Sequence, residues 1–212
     1  MKKLTLLGLG LLLFISCKEE EKETLVSTTI DESIKGKFEV DSTSSITWIG
    51  SKQTGKHSGT IKIKFGEFSV DAGKITEGKF VIDMNTIHVN DLEGEDKAKL
   101  EAHLKGDRDD VEDHFFNVKR YPEASFEVLT FTNENGVDML EGNLTIKNKI
   151  NKVKFPVSLE KVDDVITLTS PEFKINRTLW GVNYGSKSIF DDLGDKFIDD
   201  DIVLQLNIKE KK

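Results

Sequence analysis

The 212-residue chain has a single cysteine and only three prolines. One thiol excludes a disulfide framework and any cysteine-built zinc or iron–sulfur cage within the chain. No apolar run reaches the roughly 20 residues that a membrane-crossing helix needs. Basic residues are outnumbered, 30 Lys and Arg against 38 Asp and Glu, and a net charge of −8 is the wrong sign for a protein that coats nucleic acid. The motifs of serine hydrolases, P-loop enzymes, dinucleotide-binding enzymes and H-E-x-x-H metalloproteases are missing. The four histidines, His57, His88, His103 and His114, match no metal-ligand spacing. Catalytic residues, a metal site and a cofactor are therefore not expected. Tryptophan and tyrosine are scarce, two of each, yet there are 13 phenylalanines. An interior lined with Phe is the first positive feature.

The amino terminus reads as an address. Lys2 and Lys3 precede an uncharged stretch from Leu4 to Ile15, the layout of a signal peptide over residues 1–16. The only cysteine, Cys17, follows Phe14-Ile15-Ser16, which resembles a bacterial lipobox. That resemblance implies acylation of Cys17 and attachment to a membrane in the cell envelope of a Gram-negative bacterium. The protein would be an outer-membrane lipoprotein, periplasmic or surface-exposed. Loss of Lys2 and Lys3 would take the net charge from −8 to −10. Residues 17–37 read as a lipidated cysteine and acidic tether, opening with Lys18-Glu19-Glu20-Glu21-Lys22-Glu23. A Lys followed by acids after the lipidated cysteine resembles a surface-export signal, and the same run suits a periplasmic spacer equally well.

From residue 38 to 212 apolar residues recur at every second position in short runs broken by Gly, Asn and Asp. This is the period of half-buried strands. Ile46 and Trp48 share a face, as do Ile61, Ile63 and Phe65, then Phe80 and Ile82. Phe126 with Val128, Leu144 with Ile146, and Phe155 continue the pattern, and Asn133-Glu134-Asn135-Gly136 and Asp163-Asp164 mark turns. The expectation is an all-β antiparallel barrel of about eight strands with one short helical insertion, Asp91 to Leu104, and a second helical turn around Ser188 to Leu193. Alternation alone does not separate a solid core from a lined pore.

Several stretches resemble the YceI-like family of lipid- or polyisoprenoid-binding proteins. They are Phe38-Glu39-Val40-Asp41 with Ser45-Ile46-Thr47-Trp48, Gly55-Lys56-His57-Ser58-Gly59, and Gly78 through Met84. His103-Leu104-Lys105 followed by Phe115-Phe116-Asn117-Val118 and Tyr121-Pro122, and Phe173 through Thr178 with Trp180-Gly181-Val182, complete them. The family's usual pattern runs from His-Leu-Lys almost directly into the Phe pair, whereas here Asp107 to His114 intervenes. This acidic insert reads as a solvated loop without the ordered spacing of an EF-hand. The resemblance implies a lipocalin-like barrel and one long-chain lipid partner: an isoprenoid quinone, polyprenyl phosphate or fatty amide. The candidate pore residues are Ile46, Trp48, Ile61, Ile63, Phe65, Phe80, Ile82, Phe126, Val128, Leu144, Ile146 and Phe155. His57, Arg177 and Trp180 are the candidates for a polar head group. The alternative is a solid barrel that meets a protein partner through its acidic loops.

Overall fold

A computed structural model describes residues 30–212; the expected signal peptide, Cys17 and most of the expected tether lie outside the described residues. Eleven strands form one sheet in which every ladder is antiparallel. They are β1 (Gly36–Glu39), β2 (Ser45–Lys52), β3 (Gly55–Asp71), β4 (Lys74–Val89), β5 (Glu123–Glu134), β6 (Val137–Ile146), β7 (Lys149–Pro156), β8 (Ser158–Val162), β9 (Val165–Thr169), β10 (Phe173–Asn176) and β11 (Ile198–Lys209). The fold is the antiparallel, lipocalin-like one expected, with more strands than eight because the short β1, β8, β9 and β10 add rungs of their own. The helix α1 (Gly94–Lys105) follows β4 as anticipated. The second helical turn falls at Gly194–Lys196 rather than 188–193, and a further 3₁₀ turn, Arg177–Trp180, was not foreseen.

The hydrogen-bonded path runs β7-β6-β5-β4-β3-β2-β11-β9-β8, with β1 added on β3 and β10 on β11. No ladder joins β7 to β8 or β10 among the described residues, so the sheet curls without closing. At the Asn135-Gly136 turn both residues have positive φ, 53° and 84°, the geometry of a two-residue hairpin that matches strand twist. That hairpin, the β3–β4 turn and the Asp163-Asp164 turn lie at one pole, the base. The chain enters there: Gly73 N–H donates to Ile34 O at 2.9 Å, and Gly36 pairs with Val70. Ile34 is buried, so the packed domain begins before residue 38. The opposite pole, the mouth, carries α1, the 106–122 loop, the 3₁₀ turn Arg177–Trp180 and residues 181–197.

Six phenylalanines make the frame of the interior. Phe38, Phe68, Phe80, Phe126, Phe155 and Phe173 follow one another around the sheet with centroid separations of 5.4, 6.2, 6.4, 5.6 and 4.3 Å. Such offset contacts add about 0.5–1.5 kcal/mol each beyond area burial. Bulges set which residues join this core. The register slips between Ile63 and Phe65, so the inward positions change from Ile61 and Ile63 to Phe68 and Val70.

Candidate functional site

Inside the curled sheet lie two apolar cavities that share walls. The larger, about 120 Å³, sits toward the mouth and is lined by strand residues together with Leu104 from α1 and Phe115 and Phe116 from the loop after it. The smaller, about 50 Å³, lies deeper, among Ile63, Phe80, Phe126, Leu140, Phe155, Phe173 and others. Ile46, Ile82, Leu144 and Leu204 face both. An apolar void of this kind stays dry and accepts an apolar guest.

Of the twelve predicted pore residues, Ile46, Trp48, Ile61, Ile82, Leu144 and Ile146 line the larger cavity, and Ile63, Phe80, Phe126 and Phe155 line the smaller. Two do not. Phe65 is 59% exposed on the outer surface, because the bulge before it reverses its side of the sheet. Val128 is half-buried at the base, packed against the core below both cavities and bordering a surface hollow with Lys79 and Glu127.

The head-group trio is dispersed. His57 lies outside the cavity wall, its Nδ1 2.9 Å from the Asp91 carboxylate. Burial pushes the Asp91 carboxyl up, but hydrogen bonds from the Ser58 N–H and His57 outweigh it and hold the group below its ordinary value. Trp180 is fully buried away from the cavities and donates from Nε1 to Leu144 O at 2.9 Å. Arg177 does reach the wall of the larger cavity and is 2% exposed. Three of its five N–H donors are engaged: Nε on Asp199 O at 3.0 Å, Nη1 on Val182 O at 2.6 Å and Nη2 on Ile198 O at 3.1 Å. Burial lowers its pKa, against the opposing pull of Asp200 and Asp199. The fork geometry of guanidinium suits it to this work of tying three carbonyls of the mouth together. Trp48, by contrast, lines the cavity with an indole N–H that has no hydrogen-bond partner. Its ring lies flat on β3 because Gly59 has no Cβ, which would otherwise sit 2.5 Å from the ring.

The mouth is held by aromatic and imidazole contacts that alternation could not disclose. His103 at the end of α1 and His114 from the acidic insert meet, Nε2 to Nδ1 at 2.9 Å, and Tyr184 stacks on His114 at 4.2 Å. Burial, with help from His114 and Arg108, lowers the His103 pKa. The insert is pinned to the helix: Asp107 N–H donates to Ala102 O and Phe116 N–H to Leu104 O. Its acids are partly paired, Asp110 with Arg108 and Asp113 with Asn117 and Lys147. No group of three or more potential metal ligands is gathered among the described residues. Sequence reasoning missed Leu104, Phe115 and Phe116 as wall residues because they come from a helix and a loop. The one available pointer was that His103 and His114 flank the insert in the sequence.

Comparison with known proteins bears on the same architecture. The YceI-like domain model matches residues 26–209. Among solved structures, BcnA from Burkholderia cenocepacia superposes with a TM-score of 0.61 at 19% identity, covering 79% of this chain and 96% of its own. A polyisoprenoid-binding domain from Saccharophagus degradans, implicated in plant cell wall breakdown, gives 0.56 at 12% identity, covering 84% and 100%. At these identities the likeness is one of fold. No curated protein matches the chain.

Proposed function

The chain belongs to the YceI-like family, and from that premise we propose that it is a non-enzymatic carrier or storage protein for a long-chain amphiphilic lipid. The observation that carries the reading is the larger cavity, whose wall is almost wholly hydrocarbon and which lies under the mouth. The polyisoprenoid-binding domain of similar fold supports the same ligand class. A tail of a few isoprene units offers on the order of 10 kcal/mol of apolar burial before the cost of association, at about 0.8 kcal/mol per methylene.

The tail occupies the cavity and the polar head stays at the mouth. Arg177, the cation in the wall, commits three of its five donors to backbone carbonyls and has Asp200 3.9 Å from Nη2, so a neutral acceptor such as a quinone carbonyl suits the site better than a polyprenyl phosphate. The partnerless Trp48 N–H is a donor in the wall that such an acceptor could satisfy. Acylation of Cys17 would fix the carrier to an envelope membrane, since stable attachment takes two or more acyl chains.

The test is native mass spectrometry of the full chain with Cys17→Ser, purified from a bacterial host, followed by organic extraction. A co-purifying apolar species of defined mass is expected. Phe80→Glu, which places a charge in the deeper cavity, is expected to abolish it while the protein remains folded. Equal lipid content in the folded variant, or a clean apo mass after incubation with quinones, overturns the reading.

A further inference from the structure

We propose that the seam between β7 and β10 is the expandable wall of the ligand site, parting so that a long aliphatic or isoprenoid chain lodges between the two strands; this rests on the carrier reading above. The argument starts from volume. The larger cavity measures about 120 Å³ and the deeper one about 50 Å³. An apolar cavity of about 150 Å³ accommodates a single benzene. The two voids together hold a guest of that size, and a long chain needs the interior to enlarge.

Enlargement has one inexpensive route. Around most of the sheet neighbouring strands are joined by backbone ladders, and parting any of them would strand buried N–H and C=O groups. Between β7 and β10 there is no ladder. Side chains close the gap instead. Phe155 of β7 stacks on Phe173 of β10, centroids 4.3 Å apart and planes within 9°. Nearer the mouth, Asn151 Nδ2 donates to Leu179 O at 3.1 Å, and Trp180 reaches across to Leu144 O. At the base the chain itself turns from β7 into β8 through Pro156 and Val157, so the gap is stitched at one end and opens toward the mouth.

The chemistry on either side fits a hydrocarbon guest. Phe155 and Phe173 already face the deeper cavity, so separating their rings extends that cavity outward without uncovering a charge. Ile150 on β7 is 65% exposed and Leu179 beside β10 is 55% exposed. Two large apolar side chains thus flank the mouth end of this unladdered seam. A chain entering sideways meets them first.

Locking the joint tests the idea. In the full chain with Cys17→Ser, which has no other cysteine, Asn151→Cys and Leu179→Cys are joined by a short bis-maleimide. Native mass spectrometry then reads the occupancy by isoprenoid quinones of two and of eight isoprene units. The same double variant capped with N-ethylmaleimide is the control. The control is expected to take up the eight-unit quinone, and the cross-linked protein to lose at least tenfold of that occupancy, a larger loss than for the two-unit quinone. Equal uptake of the long quinone by both forms overturns the seam and leaves the carrier reading intact. No uptake by the unsubstituted chain overturns both. Should the double variant not fold, hydrogen exchange of the Cys17→Ser chain with and without the eight-unit quinone decides. A change centred on residues 149–156 and 173–180 supports the seam, and one confined to α1 and residues 106–122 overturns it.

Discussion

The base and the mouth of this barrel are built by different means. At the base, strands run into tight hairpins, Phe68 is 1% exposed, and ring contacts pass continuously from β1 to β5. At the mouth, irregular segments meet through side chains: a histidine pair, a tyrosine stack and one arginine holding three carbonyls. Of the eight exposed large apolar side chains among the described residues, five, Ile150, Leu179, Tyr184, Ile189 and Phe190, lie at this end. Regular hydrogen bonding and dense packing make a rigid floor, whereas side-chain closure makes an edge that can rearrange.

Paired substitutions sharpen this contrast. Phe68→Ala at the base should lower unfolding stability by about 3–5 kcal/mol in urea titrations, the range for a fully buried aromatic. Phe116→Ala at the mouth should cost about 1 kcal/mol or less and act mainly on lipid retention. Similar stability losses for both would erase the distinction. Arg177→Met should fall between them, about 2–4 kcal/mol, because it leaves three carbonyls without their donor. A thermal shift indistinguishable from wild type would show that those bonds do not secure the mouth.

The smallest effect expected is one of pH. Burial, His114 and Arg108 place the folded pKa of His103 below its ordinary 6.5, with Asp110 opposing. The unfolded chain therefore binds the proton more readily, and this contribution to stability is complete above about pH 6.5 and declines as pH falls from there toward the folded value. Chemical denaturation between pH 7.5 and 5 should show a slope that His103→Gln flattens. An unchanged slope in that variant would remove the histidine pair from the account.

Period-two alternation made the barrel legible, and ten of the twelve candidates line the cavities because inward positions on a regular strand share a face. It failed where the backbone departs from regularity. The bulge before Phe65 turns that ring outward, and nothing in Lys62-Ile63-Lys64-Phe65 announces it. The head-group trio failed for another reason: residue type suggests what a side chain can bind, but not that nearby carbonyls already occupy Arg177 or that Leu144 O occupies Trp180. Leu104, Phe115 and Phe116 were hidden because their place in the wall depends on how the 106–122 loop folds back under α1.

The entry of the chain at the floor has a directional consequence. Whatever precedes Ile30 leaves from the pole opposite the opening. From Cys17 to Ile30 a fully stretched chain spans about 45 Å at most, while strands as long as β3, with 17 residues, tilted as in barrels, give a body about 40 Å tall. With Cys17 acylated as proposed, turning the opening back onto the anchoring membrane would draw this leash nearly taut. Anchored in that way, the molecule would stand on its foot and present its opening outward, an orientation suited to handing a lipid across a gap to an opposing surface rather than returning it to the leaflet beneath.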